Sequence, residues 1–255
     1  MPLIHAAAMF IAAFLAGVVN SIAGGGTLLT FPVLIWLGLD PKIANATSTV
    51  ALWPGLFSGA FGYRREMNDS SLVLMRLGAI SVIGGGVGAW LLIATPSPTF
   101  ARLVPFLILF ATILFMSQGP VNRWLRLPSE GGESMKAWWS FAIVVQFFSA
   151  VYGGYFGAGN GIWMLAAMGL LGIHNIHRAN GIKNFLGVCI NSVAVVSFSI
   201  AHMVDWPKSS LMAVAALAGG YLGSRTAQRV GRAFIRRAIV VIGFAITIVM
   251  LWRMR

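Results

Sequence analysis

The stretch that decides the fold begins Tyr152-Gly-Gly-Tyr-Phe-Gly-Ala-Gly-Asn-Gly161, continues as a short apolar run, and closes His174-Asn-Ile-His-Arg-Ala-Asn-Gly-Ile-Lys183-Asn184. Five glycines (Gly153, Gly154, Gly157, Gly159 and Gly161) fall within nine residues of strongly apolar sequence. Lys183 lies just inside the next apolar segment. Glycine frees the backbone from the helix and lets a ligand approach it closely. Backbone that leaves the helix, followed by a cation at membrane depth, is what a carrier needs to hold an anion inside a bilayer.

The rest of the chain sets that stretch in lipid. It is 58% hydrophobic and 9% charged, with a mean hydropathy of +0.84. A soluble domain of this length needs far more charge to cover its surface, so a polytopic membrane protein is expected. The net charge of +12 does not point to nucleic acid. Its basic residues are spread between apolar runs, as topology requires, rather than gathered in a patch with interleaved aromatics. The single cysteine, Cys189, excludes an internal disulfide and reads as a small apolar core residue. The N-terminus has no basic region and no small-residue cleavage site, so residues 3–23 read as part of the mature protein.

Ten apolar segments are predicted, near 3–23, 26–39, 43–63, 71–94, 101–117, 137–157, 161–173, 179–202, 209–228 and 233–252. Most are long enough to cross a core of ~30 Å as helices of ~20 residues. Segments 26–39 and 161–173 are too short, and each follows a glycine cluster, Gly24-Gly25-Gly26 or Gly157 to Gly161. Short, glycine-interrupted segments at matching places in two halves mark a transporter site.

The halves match. Leu37-Gly38 recurs 134 residues on as Leu171-Gly172, and the same spacing lays Gly25 on Gly159. At 135 residues, Ala44-Asn45 recurs as Ala179-Asn180, and Gly84, Gly85 and Gly88 fall on Gly219, Gly220 and Gly223. The fold class expected is therefore an all-α membrane protein of two inverted repeats, each of about five hydrophobic segments, with glycine-interrupted short or re-entrant helices near the midplane. It forms a single domain over 1–255, with repeat 1 at 1–118, a cytoplasmic linker at 119–136 and repeat 2 at 137–255. Sequence leaves re-entrant hairpins and full crossings both open.

If segments alternate across the membrane, one side holds 12 of the 18 basic residues, Arg64, Arg65, Arg123, Arg126 and the Arg225–Arg237 cluster among them. The other side holds five, and Lys183 is the last. The rule that positive loops stay inside makes the first side cytoplasmic and puts both termini in the periplasm.

The chemistry expected at the midplane follows from helix ends. A helix starting inside the membrane has first-turn N–H groups without intrahelical partners and a positive dipole end, which an anionic oxygen can satisfy. Candidate substrate-binding residues are Asn20, Gly24, Gly25, Gly26, Thr27, Asn45 and Ser48 from the first half. From the second come Gly157, Gly159, Asn160, Gly161, Trp163, Asn180, Lys183 and Asn184. Lys183 falls on Ser48 at the 135-residue spacing, so the site is expected to be asymmetric. All six acidic residues (Asp40, Glu66, Asp69, Glu130, Glu133 and Asp205) lie in or beside loops. With no carboxylate at depth, a substrate anion is the natural partner for the lysine.

Plainer readings compete at each position. Gly84-x-x-x-Gly88 and Gly219-x-x-x-Gly223 suit close helix packing better than ligand contact. Lys183, five residues from Arg178, can also snorkel to the interface. His174 and His177 could ligate a metal, but loop histidines at headgroup level are commoner, so no metal and no cofactor is expected. Asn191 and Ser192 either line the pathway or bond between helices.

The pattern Gly17-x-x-Asn20-x-x-x-Gly24-Gly25-Gly26, then Pro32 and Leu37-Gly38, resembles the first-repeat signature of the sulfite exporter TauE/SafE family. Gly153-Gly154, Gly157-x-Gly159, Leu171-Gly172 and Ala179-Asn180-x-x-Lys183-Asn184 resemble its second repeat, and Val204-Asp205-Trp206 with Gly219-Gly220-x-x-Gly223 also fit. The resemblance implies a bacterial inner-membrane permease, a secondary transporter exporting sulfite, organosulfonates or related carboxylates. Its partners would be a small anionic substrate and the bilayer, not nucleic acid, with homo-oligomerisation left open. The alternatives are a membrane scaffold or assembly subunit, or a membrane-embedded enzyme. An enzyme would need a nucleophile–base pair or a metal cluster at depth. Cys189 has no histidine at a useful position on its own segment, so no catalytic residue is expected.

Overall fold

In lipid every backbone N–H and C=O must be satisfied within the protein, which leaves helices as the economical solution for a chain of apolar runs. The computed structural model describes residues 2–22, 24–124, 134–173, 175–226 and 232–253. Among them are ten α-helices, one short 3₁₀ helix at Arg64–Ser70 and no strand. The helices are α1 (Leu3–Ile22), α2 (Thr27–Trp36), α3 (Pro41–Gly62), α4 (Ser71–Ala94) and α5 (Ser97–Trp124). They continue as α6 (Ser134–Tyr155), α7 (Asn160–Leu170), α8 (Ile176–Ile200), α9 (Trp206–Thr226) and α10 (Arg232–Arg253). Each expected segment is a helix. Two differences stand out. The 3₁₀ helix takes the place of an expected loop, and α5 continues to Trp124, so the expected linker is helical at both ends. Its centre, 125–133, lies outside the described residues.

Among the described residues α1, α4, α8 and the stretch Ser97–Ser117 of α5 are both long and apolar enough to cross a membrane. By contrast α2 and α7, at 10 and 11 residues, span only ~15–17 Å, about half the hydrocarbon core. They double back instead. Gly26, at the start of α2, packs against Ala16 of α1. At the far end Trp36 meets His5 edge-on, with ring centroids 5.3 Å apart. The second pair repeats the plan: α7 packs on α6, and Trp139 near the start of α6 shares an apolar cluster with Leu171 and Ile173 just beyond α7. Both pairs are helical hairpins with a short returning arm.

The matched glycines explain how the returning arms stop. Gly38 and Gly172 have φ of +84° and +72°. In each case the glycine N–H bonds the carbonyl three residues back (Ile35, Gly169) and the next N–H bonds the carbonyl five back (Leu34, Met168). This is a Schellman cap, and its left-handed residue is cheap only for glycine.

Packing is paired across the halves. α1 lies on α9 and α6 on α4; α3 lies on α9 and α8 on α4; α3 meets α8, and α5 meets α10. Exchanging α1–α5 for α6–α10 leaves this pattern unchanged. Directions follow from the register. Along α1 and α9 the numbers rise together, Gly219 against Phe14 and Gly223 against Val18. Along α4 and α6 they also rise together, from Gly84 against Phe147 to Gly88 against Tyr155. α3 and α8 run oppositely, Trp53 against Ser192 and Gly59 against Asn184. The glycines at 84, 88, 219 and 223 all face neighbouring backbone, the packing role their spacing suggests.

Candidate functional site

At the tip of the first hairpin the chain leaves α1 with Gly24 at φ +76°, its N–H bonded to Val19 O at 3.1 Å. Asn20, in the last turn of α1, turns its carboxamide toward the returning arm. Its Oδ1 accepts from Gly25 N at 2.8 Å and from Gly26 N at 2.7 Å. Leu28 and Leu29 N–H bond back to the carbonyls of Gly25 and Gly26. The first-turn donors that sequence reasoning reserves for a ligand are thus largely taken by the protein itself, with Asn20 acting as a built-in acceptor.

At the second tip Gly157, with φ +76°, bonds Tyr152 O at 3.0 Å, and Gly159, with φ +75°, opens α7. Tyr152 Oη braces the turn by donating to Ala158 O at 2.8 Å. Asn160 Oδ1 accepts the hydroxyl of Ser149, while its Nδ2 lies toward Gly153.

The two tips touch. A Cβ on Gly24 would sit 2.8 Å from Gly161 Cα, so Gly24 has no room for a side chain. Around this contact is a cavity of ≈ 60 Å³. At roughly 10–15 Å³ per water measured this way, it holds about four to six water-sized groups. Nine of the sequence-predicted residues line it: Asn20, Gly24, Gly25, Thr27, Gly157, Asn160, Gly161, Lys183 and Asn184. The middle of α3 contributes Thr49, Leu52 and Leu56, and the middle of α8 contributes Gly187, Ile190 and Asn191. The cavity therefore sits near half-depth along both helices. Phe156, Met164 and Gly153 complete it.

Lys183 is buried, at 3% exposed, rather than extended to the surface. Its Nζ donates to the Asn20 carbonyl at 2.7 Å, across from α8 to α1. Asn184 Nδ2 reaches Ser21 O at 3.4 Å, a looser bond on the same pair of helices. One asparagine thus serves two structures, its carbonyl holding the cation and its carboxamide holding the start of α2.

The other six predicted residues lie off the cavity wall. Gly26 packs on Ala16, and Gly159 lies against Ala111. Asn45 donates from Nδ2 to Tyr155 O at 2.9 Å. Ser48 shares a 2.6 Å hydrogen bond with Thr30. Trp163 tilts toward Phe110, 6.4 Å between ring centroids. Asn180 is buried one helical turn above Lys183, and neither side-chain atom has a hydrogen-bond partner. Of the two histidines expected in a loop, His174 lies outside the described residues, and His177 instead sits in the first turn of α8, tilted over Tyr63 at 6.0 Å between ring centroids. Among the described residues no group of three His, Cys, Asp or Glu could hold a metal ion.

The lining residues that sequence reasoning missed are mostly apolar. Leu52, Leu56, Phe156, Met164 and Ile190 look like ordinary core. Only their register marks them: Thr49, Leu52 and Leu56 share one face of α3, and Lys183, Gly187, Ile190 and Asn191 one face of α8.

The model of the sulfite exporter TauE/SafE family matches residues 9–250. The chain belongs to this family. Its similarity to other TauE/SafE-type sequences runs end to end. A probable membrane transporter protein of Haemophilus influenzae is 27% identical over 96% of this chain and 94% of its own length. A probable membrane transporter protein of a Sinorhizobium species is 26% identical over 94% and 90%. The probable membrane transporter protein YfcA of Escherichia coli is 27% identical over 92% and 85%. No solved structure matches the chain. This member of the TauE/SafE family is a multi-pass membrane protein of a transporter family.

Proposed function

We propose that this protein is a secondary carrier of small anions, such as sulfite, organosulfonates or related carboxylates, and that it exports them across a bacterial inner membrane. The observation that carries the reading is Lys183, buried on the wall of a cavity at the point where two hairpin tips meet. A full positive charge, the amide of Asn160 and the dipole ends of α2 and α7 converge there, and all four favour negative charge. The cavity volume favours a solute of a few non-hydrogen atoms over anything of drug size.

Transport needs the site to face each side in turn. In this reading the halves are inverted repeats, supported by the antiparallel run of the matched helices α3 and α8 and by the pairing of α1 with α9 and α6 with α4. The end bearing Arg64, Arg65, Arg178 and Arg225 is then cytoplasmic, and both termini are periplasmic. The binding set proposed is Asn20, Thr27, Asn160, Lys183 and Asn184, with Gly24, Gly25, Gly157 and Gly161 giving close backbone approach.

Proteoliposomes loaded with sulfite, a short organosulfonate or a short carboxylate test the reading. Protein-dependent flux of at least one of them is expected. Absence of flux for all three classes, with correctly inserted protein, refutes it. A reporter active only in the periplasm, fused to the C-terminus, should be active; a silent one reverses the proposed orientation.

A further inference from the structure

A second depression lies on the exposed side of the α3–α9 pair. The two helices touch backbone to backbone where Gly55 packs on Ala216. Larger side chains stand up on either side, Trp53, Phe57 and Phe61 on α3 and Leu217 and Tyr221 on α9, around a groove of ≈ 480 Å³. Phe57, Phe61 and Leu217 are about half exposed, at 48%, 57% and 50%. The floor offers little to water, because the Ser58 hydroxyl is already engaged with the carbonyls of Gly55 and Leu217, at 3.0 and 2.9 Å.

Both walls end in an arginine at the same end. On α3 the row 53, 57, 61 leads to Arg64, the first residue of the 3₁₀ helix just beyond it, and on α9 the row 217, 221 runs on to Arg225, the spacing that stacks side chains along one helix face. The Arg64 guanidinium lies 4.0 Å above the Phe61 ring and donates to Phe61 O at 3.0 Å. The Arg225 guanidinium lies 4.5 Å above the Tyr221 ring. Gly62 faces Ser224, which brings the two ends together. The result is an apolar trough with a ring-braced guanidinium next to each wall at the same end.

We propose that this groove is a binding site for an anionic phospholipid, with one acyl chain along the trough and the phosphate between Arg64 and Arg225. Guanidinium is the side chain suited to bidentate phosphate contact, and stacking on a ring pre-orients it. A zwitterionic lipid brings its own cation against the same two charges. Free phosphate gains nothing from the trough, so the lipid is the source the whole groove fits.

Native mass spectrometry of the full-length protein in micelles tests this, with phosphatidylglycerol and phosphatidylcholine of identical chains. Wild-type protein should retain phosphatidylglycerol over phosphatidylcholine by roughly tenfold to thirtyfold, the effect of two arginines near a charged headgroup. R64Q/R225Q should bring phosphatidylglycerol down to the phosphatidylcholine level and leave phosphatidylcholine unchanged. Equal retention of the two lipids by wild type overturns the proposal, whether or not the double variant inserts. So does undiminished phosphatidylglycerol on R64Q/R225Q, or its displacement by millimolar inorganic phosphate.

Discussion

At the tip of the first hairpin an asparagine on the outgoing helix, Asn20, reaches forward to the N–H groups of Gly25 and Gly26. At the tip of the second an asparagine on the returning helix, Asn160, reaches back to Ser149. The helices that follow differ as well. α8 sets Lys183 into the cavity, whereas the matching Ser48 of α3 faces away and bonds Thr30. Two halves with one backbone plan thus carry different side-chain chemistry, and the charge sits on one side only. In the proposed carrier, the shared backbone plan supplies the geometry and a few unmatched residues supply the affinity.

Lys183→Ala strikes this asymmetry hardest. Loss of a buried charged donor should lower anion flux by at least ~30-fold, the scale of truncating one member of a buried charge contact. Normal flux with intact insertion would remove the lysine from the mechanism and leave the two halves chemically equivalent. Gly24→Ala comes next, because it places a Cβ 2.8 Å from the Gly161 backbone at a φ of +76°. The left-handed conformation alone costs roughly 1–3 kcal/mol. A lower thermal midpoint and reduced flux are expected; a wild-type midpoint would mean that the tips do not bear on one another.

Asn20 sharpens the comparison further. Asn20→Ala removes the acceptor for two N–H groups and should cost about 1–2 kcal/mol in unfolding measurements. Asn20→Asp keeps the acceptor but sets a carboxylate near Lys183, so stability should hold while flux falls. If the two variants behave alike, Asn20 has no role beyond capping. The smallest effect is expected at Ser48→Ala. It breaks one hydrogen bond with Thr30, costs about 1 kcal/mol and leaves flux unchanged. A large flux defect there would restore the symmetry that Lys183 breaks.

The ten helices were legible in the sequence because lipid imposes length and hydropathy together; the two short arms were legible from the glycine clusters before them, but whether they turn back or cross was not. The 3₁₀ helix at Arg64–Ser70 was not legible, since a short polar connection carries no periodicity. Within the site, residue type was a good guide to depth and a poor guide to facing. Ser48 and Thr49 are chain neighbours, yet ~100° around the helix separates them. Only Thr49 lines the cavity. Trp163 and Met164 divide in the same way. The apolar wall residues could not be told from core by type, because a pocket for a small solute is lined much as a core is.

Where the hairpins meet, one bare main chain lies on another at Gly24 and Gly161. Such a junction has no interlocking knobs to disengage, so a small slip or tilt of one tip against the other disturbs little packing. The cavity wall is hinged on its least textured surface, which leaves the resistance to movement to the side chains that bridge the halves at a distance, the Lys183–Asn20 link foremost.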